Sequence, residues 1–241
     1  VTFRKRYIYS NILLIWLYFI VLRMKNLLIC LLIACCLAAA PYRTSLASKM
    51  TKLSAISYES QAIIENWSCD LCKDVPLVDV KVVQNDSNSV YGYIGYSKQL
   101  KSIVIAFRGS VDVSNWILNL KTVRTSYDLC DGCSVHIGFN QGFNSVKDQV
   151  NGHINTLLAL YREKSFALTG HSLGGALSVM AAAYLQSIHN SVDYLYTMGQ
   201  PRVGNDKFAA FMTTFIPNTY RIVNYADQVP HVPQSALGYK H

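Results

Sequence analysis

Apolar positions along the chain change their spacing several times, and each change marks an element. Leu53, Ile56, Ile63, Ile64 and Trp67 recur at helical spacing and predict an amphipathic helix ahead of Cys69. Val90 to Tyr96 and Ser102 to Phe107 are short apolar runs joined by a polar stretch at 97–101, which predicts two strands and a turn. Phe143, Val146, Val150, Ile154, Leu157 and Tyr161 step by threes and fours, predicting a second amphipathic helix. Ser165 to Thr169 predicts a short strand, Leu173 to Ser187 an Ala- and Leu-rich helix, and Val192 to Met198 another strand. Phe208, Phe211, Met212 and Phe215 mark a further helix, and Tyr220 to Asn224 a further strand. Strands alternating with helices predict an α/β fold, a mostly parallel sheet with helices on both faces.

The first forty residues follow a different pattern. Met24 and Lys25 precede an apolar run from Leu27 to Leu37 and then Ala38-Ala39-Ala40, the order of a secretory signal peptide. Residues 24–40 are therefore expected to direct export. Residues 1–23 are expected to be an upstream or artefactual segment, and 41–241 the folded domain. Asn11 to Leu22 is also apolar, so a signal-anchored membrane protein is the alternative, although twelve residues are too few to span a bilayer alone.

This division changes the charge. The whole chain carries +8, but Arg4, Lys5, Arg6, Arg23 and Lys25 fall in the first forty residues, which hold no Asp or Glu. The remaining 17 basic residues face 14 acidic ones, too small an excess to indicate a nucleic-acid partner. Four of the seven cysteines lie beyond residue 40, as Cys69-x-x-Cys72 and Cys130-x-x-Cys133. In an exported protein an even count reads as disulfides, with three pairings open. A zinc site is disfavoured, because the pairs are 57 residues apart. Asn66-Trp67-Ser68 and Asn85-Asp86-Ser87 match the N-glycosylation pattern, in keeping with export.

The motif with the most chemical content is Gly170-His171-Ser172-Leu173-Gly174, between a predicted strand and a predicted helix. A serine in that context sits on a sharp turn, with glycines removing the clashes and a helix N-terminus behind it offering N–H groups and partial positive charge. This makes Ser172 a candidate nucleophile. The bland reading is a Gly-rich turn without chemistry, and Gly175-Ala176 argues against chance by letting helix and strand pack closely.

Five segments in order give the chain a family likeness. Thr169 to Ala176, Ala106-Phe107-Arg108-Gly109-Ser110 with Asn115-Trp116-Ile117, His136-Ile137-Gly138-Phe139, Gly199 to Asn205, and Val223 to Pro233 resemble the class 3 (fungal-type triacylglycerol) lipase family over roughly residues 50–241. The resemblance implies an α/β-hydrolase fold and ester hydrolysis through a Ser-Asp-His triad, without metal or cofactor. Ser172 would be the nucleophile and Asp227 the acid that orients the histidine. The Leu173 N–H, with the backbone and hydroxyl of Ser110, would form the oxyanion hole. Val113, Asn115, Trp116, Ile117 and Leu118 would belong to a lid that opens on a lipid–water interface. For Ser110 and Asp227 the alternatives are an ordinary turn and a surface loop; for the lid, a core helix. The substrate implied is a lipid ester, and a monomer is expected. Two other readings stay open: a feruloyl-esterase-like enzyme of the same fold, and an exported binding protein without activity.

The histidines are harder to place. His171 is expected to pack under the turn, since adjacent side chains diverge there. His153 on a helix and His231 between prolines read as structural. In this family the triad runs Ser, Asp, His along the chain. After Asp227 only His231 and His241 remain, so the catalytic histidine is expected beyond residue 241, with His241 a minor candidate.

Overall fold

The computed structural model describes residues 41–241. The expected signal segment and the residues before it lie outside the described residues. Helix α1 (Thr44–Ile56) turns Leu46, Met50 and Leu53 inward, and α2 (Gln61–Asn66) buries Ile64. One helix was expected to run through Leu53 and Trp67, and the break has a local cause. The Ser57 hydroxyl bonds back to the Ser54 carbonyl at 2.6 Å, and the N–H groups of Ser57, Tyr58 and Glu59 each bond three residues back instead of four.

Strands β1 (Val78–Asn85), β2 (Val90–Ser97) and β3 (Ser102–Phe107) follow, then a short helix α3 (Val113–Asn119) and a hairpin of β4 (Arg124–Ser126) and β5 (Ser134–His136). Helices α4 (Ile137–Asn144) and α5 (Lys147–Tyr161) replace the single helix expected through Phe143 and Tyr161. A serine again competes with the helix ladder: the Ser145 hydroxyl bonds the Gly142 carbonyl at 2.7 Å. The chain then alternates, as β6 (Phe166–His171), α6 (Leu173–His189), β7 (Val192–Met198), α7 (Asp206–Phe215) and β8 (Thr219–Ile222).

The main sheet has the order β1-β2-β3-β6-β7-β8. The β1–β2 and β2–β3 pairs are antiparallel, and β3, β6, β7 and β8 are parallel. Apolar layers cover both faces. On one, Met50, Leu53 and Ile64 pack with Tyr93, Val104, Ala106, Ala167 and Tyr196. On the other, Val150, Ile154, Leu177 and Met180 pack with Ile94, Ile103, Ile105, Leu168 and Leu195. Burial on both sides is why β3 reads as an unbroken apolar run rather than an alternating one.

Each Cys-x-x-Cys closes on itself, Cys69 with Cys72 and Cys130 with Cys133. The second bond lies in the turn between β4 and β5. Among the described residues no helix is long and apolar enough to cross a membrane.

Candidate active site

Four parallel strands end on one edge of the sheet, and the singled-out residues follow those ends. Gly109 and Ser110 follow β3, Ser172 follows β6, Gly199 follows β7 and Asp227 follows β8. In such sheets the carboxyl ends of the strands are where ligands bind.

Ser172 is fully buried and strained, with φ 55° and ψ −126°. A non-glycine residue held there costs about 1–3 kcal/mol. The surroundings enforce the turn. The Ser172 N–H bonds the Met198 carbonyl at 2.9 Å, and α6 begins at once with Leu173. A Cβ on Gly170 would lie 2.3 Å from the Gly174 carbonyl, and one on Gly174 would lie 2.1 Å from the Phe107 carbonyl oxygen, so only glycine fits either place. Ser172 Oγ has no hydrogen-bond partner among the described residues. Such a buried hydroxyl costs about 1–3 kcal/mol when unsatisfied. The Leu173 N–H, first in α6, lies outside the helix ladder.

A cleft of about 570 Å³ opens beside the elbow, lined by Arg108, Ser110, Trp116, His136, Phe139 and Leu173 among others. Helix α3 forms part of its wall, capped by the Asp112 carboxylate, which accepts the Asn115 N–H at 2.9 Å. No residue of α3 is fully buried, although Trp116 packs against the core. Val113, Trp116 and Ile117 are half-buried and Asn115 is exposed, while Leu118 and Val111 stand 85% and 83% exposed.

The His-x-Gly-Phe segment has a structural explanation. His136 Nδ1 caps α4 by accepting the Phe139 N–H at 3.3 Å, and its Nε2 donates to the Lys121 carbonyl just past α3. Burial holds its pKa below the usual imidazole value.

Asp227 is half-buried on a loop beyond β8, where its Oδ1 accepts the Val229 N–H at 2.9 Å. Its Oδ2 lies 2.6 Å, and the His171 Cδ2 3.6 Å, from where a Gly199 side chain would begin. Asp227 is thus brought beside the elbow from 55 positions along the chain. His171 packs at the elbow, as expected, with Nδ1 2.7 Å from the Tyr58 hydroxyl. Burial lowers its pKa, and the Asp227 charge opposes that in part. His231 lies in a 3-10 turn with an exposed side chain. His241 contacts Arg221 and the Pro230 carbonyl, and burial and the Arg221 charge push its pKa down to about 4. Neither ring is bonded to Ser172 or Asp227. Tyr58 is the site residue that the sequence reading missed. It sits in the turn between α1 and α2, and no local pattern marks it.

The chain is similar to several known proteins. The model of the class 3 lipase family matches residues 104–236. A secreted mono- and diacylglycerol lipase of Fusarium solani is 38% identical over 172 residues, covering 71% of this chain and 51% of its own length. The solved lipase of Rhizopus microsporus var. chinensis superposes with a TM-score of 0.75 at 30% identity, covering 85% of this chain and 74% of its own. A solved triacylglycerol lipase, described as having a serine protease triad for its catalytic centre, superposes with a TM-score of 0.72 at 33% identity, covering 85% and 79%. The chain spans about half the length of the curated relatives it matches. With the family's segments standing in order around one sheet edge, and with these matches, the chain belongs to the class 3 lipase family and has its α/β-hydrolase fold.

Proposed function

We propose that the protein is a secreted serine hydrolase that cleaves carboxylic esters of lipids through an acyl-enzyme. The observation that carries this is Ser172 itself, a buried and unpartnered hydroxyl on a strained turn at a helix N-terminus. Strain and an unsatisfied hydroxyl are costs that a purely structural serine has no reason to bear.

In this reading Ser172 Oγ attacks the ester carbonyl and the oxygen of the tetrahedral intermediate becomes negative. The Leu173 N–H and the backbone and hydroxyl of Ser110 donate to it; one such donor contributes about 3 kcal/mol to the transition state. Asp227 orients a histidine that takes the Oγ proton and returns it to the leaving alcohol. Among the described residues no histidine nitrogen is bonded to Ser172 or Asp227. His171 Nδ1 is engaged by Tyr58, and His136 by Lys121 and Phe139.

Lipid as substrate is supported by α3, whose Leu118 and neighbouring Val111 offer apolar surface to solvent while Trp116 faces the cleft. A helix of that kind suits a lid that opens at a lipid surface. Export is supported by the two disulfides and by the secreted Fusarium relative. The test is hydrolysis of emulsified acylglycerols against soluble feruloyl esters. The reading expects the emulsion to be the better substrate; activity on the feruloyl ester alone would replace it with the non-lipid esterase.

A further inference from the structure

Ser172 and Ser110 come from different strands, and strand pairing does not set the gap between them. The β3–β6 register ends at Phe107 opposite Gly170. Past that point β3 and β6 are no longer paired with each other: the Arg108 N–H turns to the Tyr91 carbonyl at 2.8 Å, while His171 pairs with Met198 of β7. Tyr58 bridges the two segments. Its hydroxyl accepts the Gly109 N–H at 3.2 Å and lies 2.7 Å from His171 Nδ1.

The partners of that bridge favour one place for the proton. Among the described residues Gly109 and His171 are the only partners of the Tyr58 hydroxyl. Gly109 is a donor, so within the protein the hydroxyl hydrogen finds an acceptor only at Nδ1. With the proton so placed, His171 is the neutral tautomer with its hydrogen on Nε2. Burial acts in the same sense on both groups, raising the Tyr58 pKa and lowering that of His171. Although Tyr58 is 39% exposed, its hydroxyl end is packed tight. A Cβ on Gly109 would stand 2.5 Å from the Tyr58 oxygen, 2.6 Å from the His171 carbonyl and 3.0 Å from Ser172 Cβ. The hydroxyl, the oxyanion segment and the nucleophile therefore share one contact shell. The side chain that links them is anchored elsewhere, by the serine-broken turn after α1.

We propose that Tyr58 is a positioning residue for ester hydrolysis, its hydroxyl tying Gly109 to His171 and so setting the Ser110 donor against Ser172. This rests on the reading of Ser172 as nucleophile and goes beyond it. Tyr58→Phe keeps the ring and removes the tie. Because a displacement near 1 Å at a reacting centre can cost about a hundredfold in rate, partial slackening is expected to lower kcat about tenfold. KM should stay within about twofold, since ground-state binding of the ester does not use the tie.

The experiment measures kcat and KM on a soluble ester for the wild type, Tyr58→Phe, Ser110→Ala and the double variant. Rates are normalised to folded protein by circular dichroism, and fluorophosphonate labelling of Ser172 is followed in parallel. The expected result is a fall in kcat and in labelling rate at constant KM, with less-than-additive losses in the double variant, because both changes act on the same donor. A merely structural Tyr58 would lower Tm while leaving kcat intact below the transition. An active wild type with unchanged kcat in Tyr58→Phe, a change in KM alone, or strictly additive losses would each overturn the role given to Tyr58 and leave Ser172 as nucleophile. A wild type that neither hydrolyses esters nor labels at Ser172 would overturn both.

Discussion

One substitution, glycine to alanine, should move stability in opposite directions at two helical positions. Gly152 lies exposed within α5, and a Cβ built there meets nothing within 4 Å. Alanine at 152 gains only the conformational term, about 0.5–1 kcal/mol of added stability. Gly174 lies in the first turn of α6, where the same Cβ would meet the Phe107 carbonyl oxygen at 2.1 Å, its carbon at 2.6 Å and the Arg108 carbonyl carbon at 2.8 Å. All three are backbone atoms at the end of β3, so no side chain can swing aside. Helix and strand must part by about 1 Å, and overpacking of this kind costs about 1–3 kcal/mol, more than the helical gain from alanine returns. The same movement separates Ser172 from Ser110, and a shift of that size costs about a hundredfold in rate. The assay is urea unfolding with free m-values, alongside kcat/KM on a soluble ester. Gly174→Ala as stable as wild type and within threefold of its activity would show that the close approach of helix and strand is not what builds this elbow. A loss of stability in Gly152→Ala would show that the contact reasoning itself fails.

Other consequences follow from the same geometry. Replacing Val111 and Leu118 together by serine should cut hydrolysis of emulsified acylglycerol about tenfold while sparing a soluble short-chain ester, since these two side chains face solvent and would meet only an interface; equal losses on both substrates, measured by titration of released acid, would argue against a lid. His136, His171 and His189 all have pKa values lowered from 6.5, chiefly by burial. The unfolded chain therefore binds more protons than the folded one as pH falls below about 6.5, and stability should drop on going from about pH 7 to pH 5, read as a falling urea midpoint; a flat or rising midpoint would contradict the burial of these rings. His241→Ala should leave kcat within about threefold, because that ring contacts Arg221 and Pro230 rather than the nucleophile; a loss of a thousandfold or more would make His241 the base.

Much of the parallel core was legible in the chain because its strands are short apolar runs between helices of clear period. Ser102–Phe107 and Val192–Met198 fall where the pattern placed them. Val78–Asn85 was not read as a strand. It is the edge of the sheet, carries Asp79 and Lys81, and has a register shift between Val78 and Lys81 with Asp79 at φ 51°, so its alternation is interrupted. Both split helices failed for one reason: periodicity counts apolar residues, and the breaks were made by the hydroxyls of Ser57 and Ser145. At the site, Ser172 was legible because an elbow needs local glycines. Tyr58 was not, because its partners lie 51 and 113 positions away and a tyrosine in a polar turn resembles any other.

The central claim is that Ser172 is an activated nucleophile, and covalent labelling addresses it most directly. The protein would be treated with an alkyl fluorophosphonate, digested and sequenced by mass spectrometry, with Ser172→Ala in parallel. The account predicts one adduct, on Ser172, formed in step with loss of esterase activity, and a folded Ser172→Ala variant that takes no label and has lost about a millionfold in kcat. Label on another residue, or a Ser172→Ala variant within tenfold of wild-type activity, would contradict it.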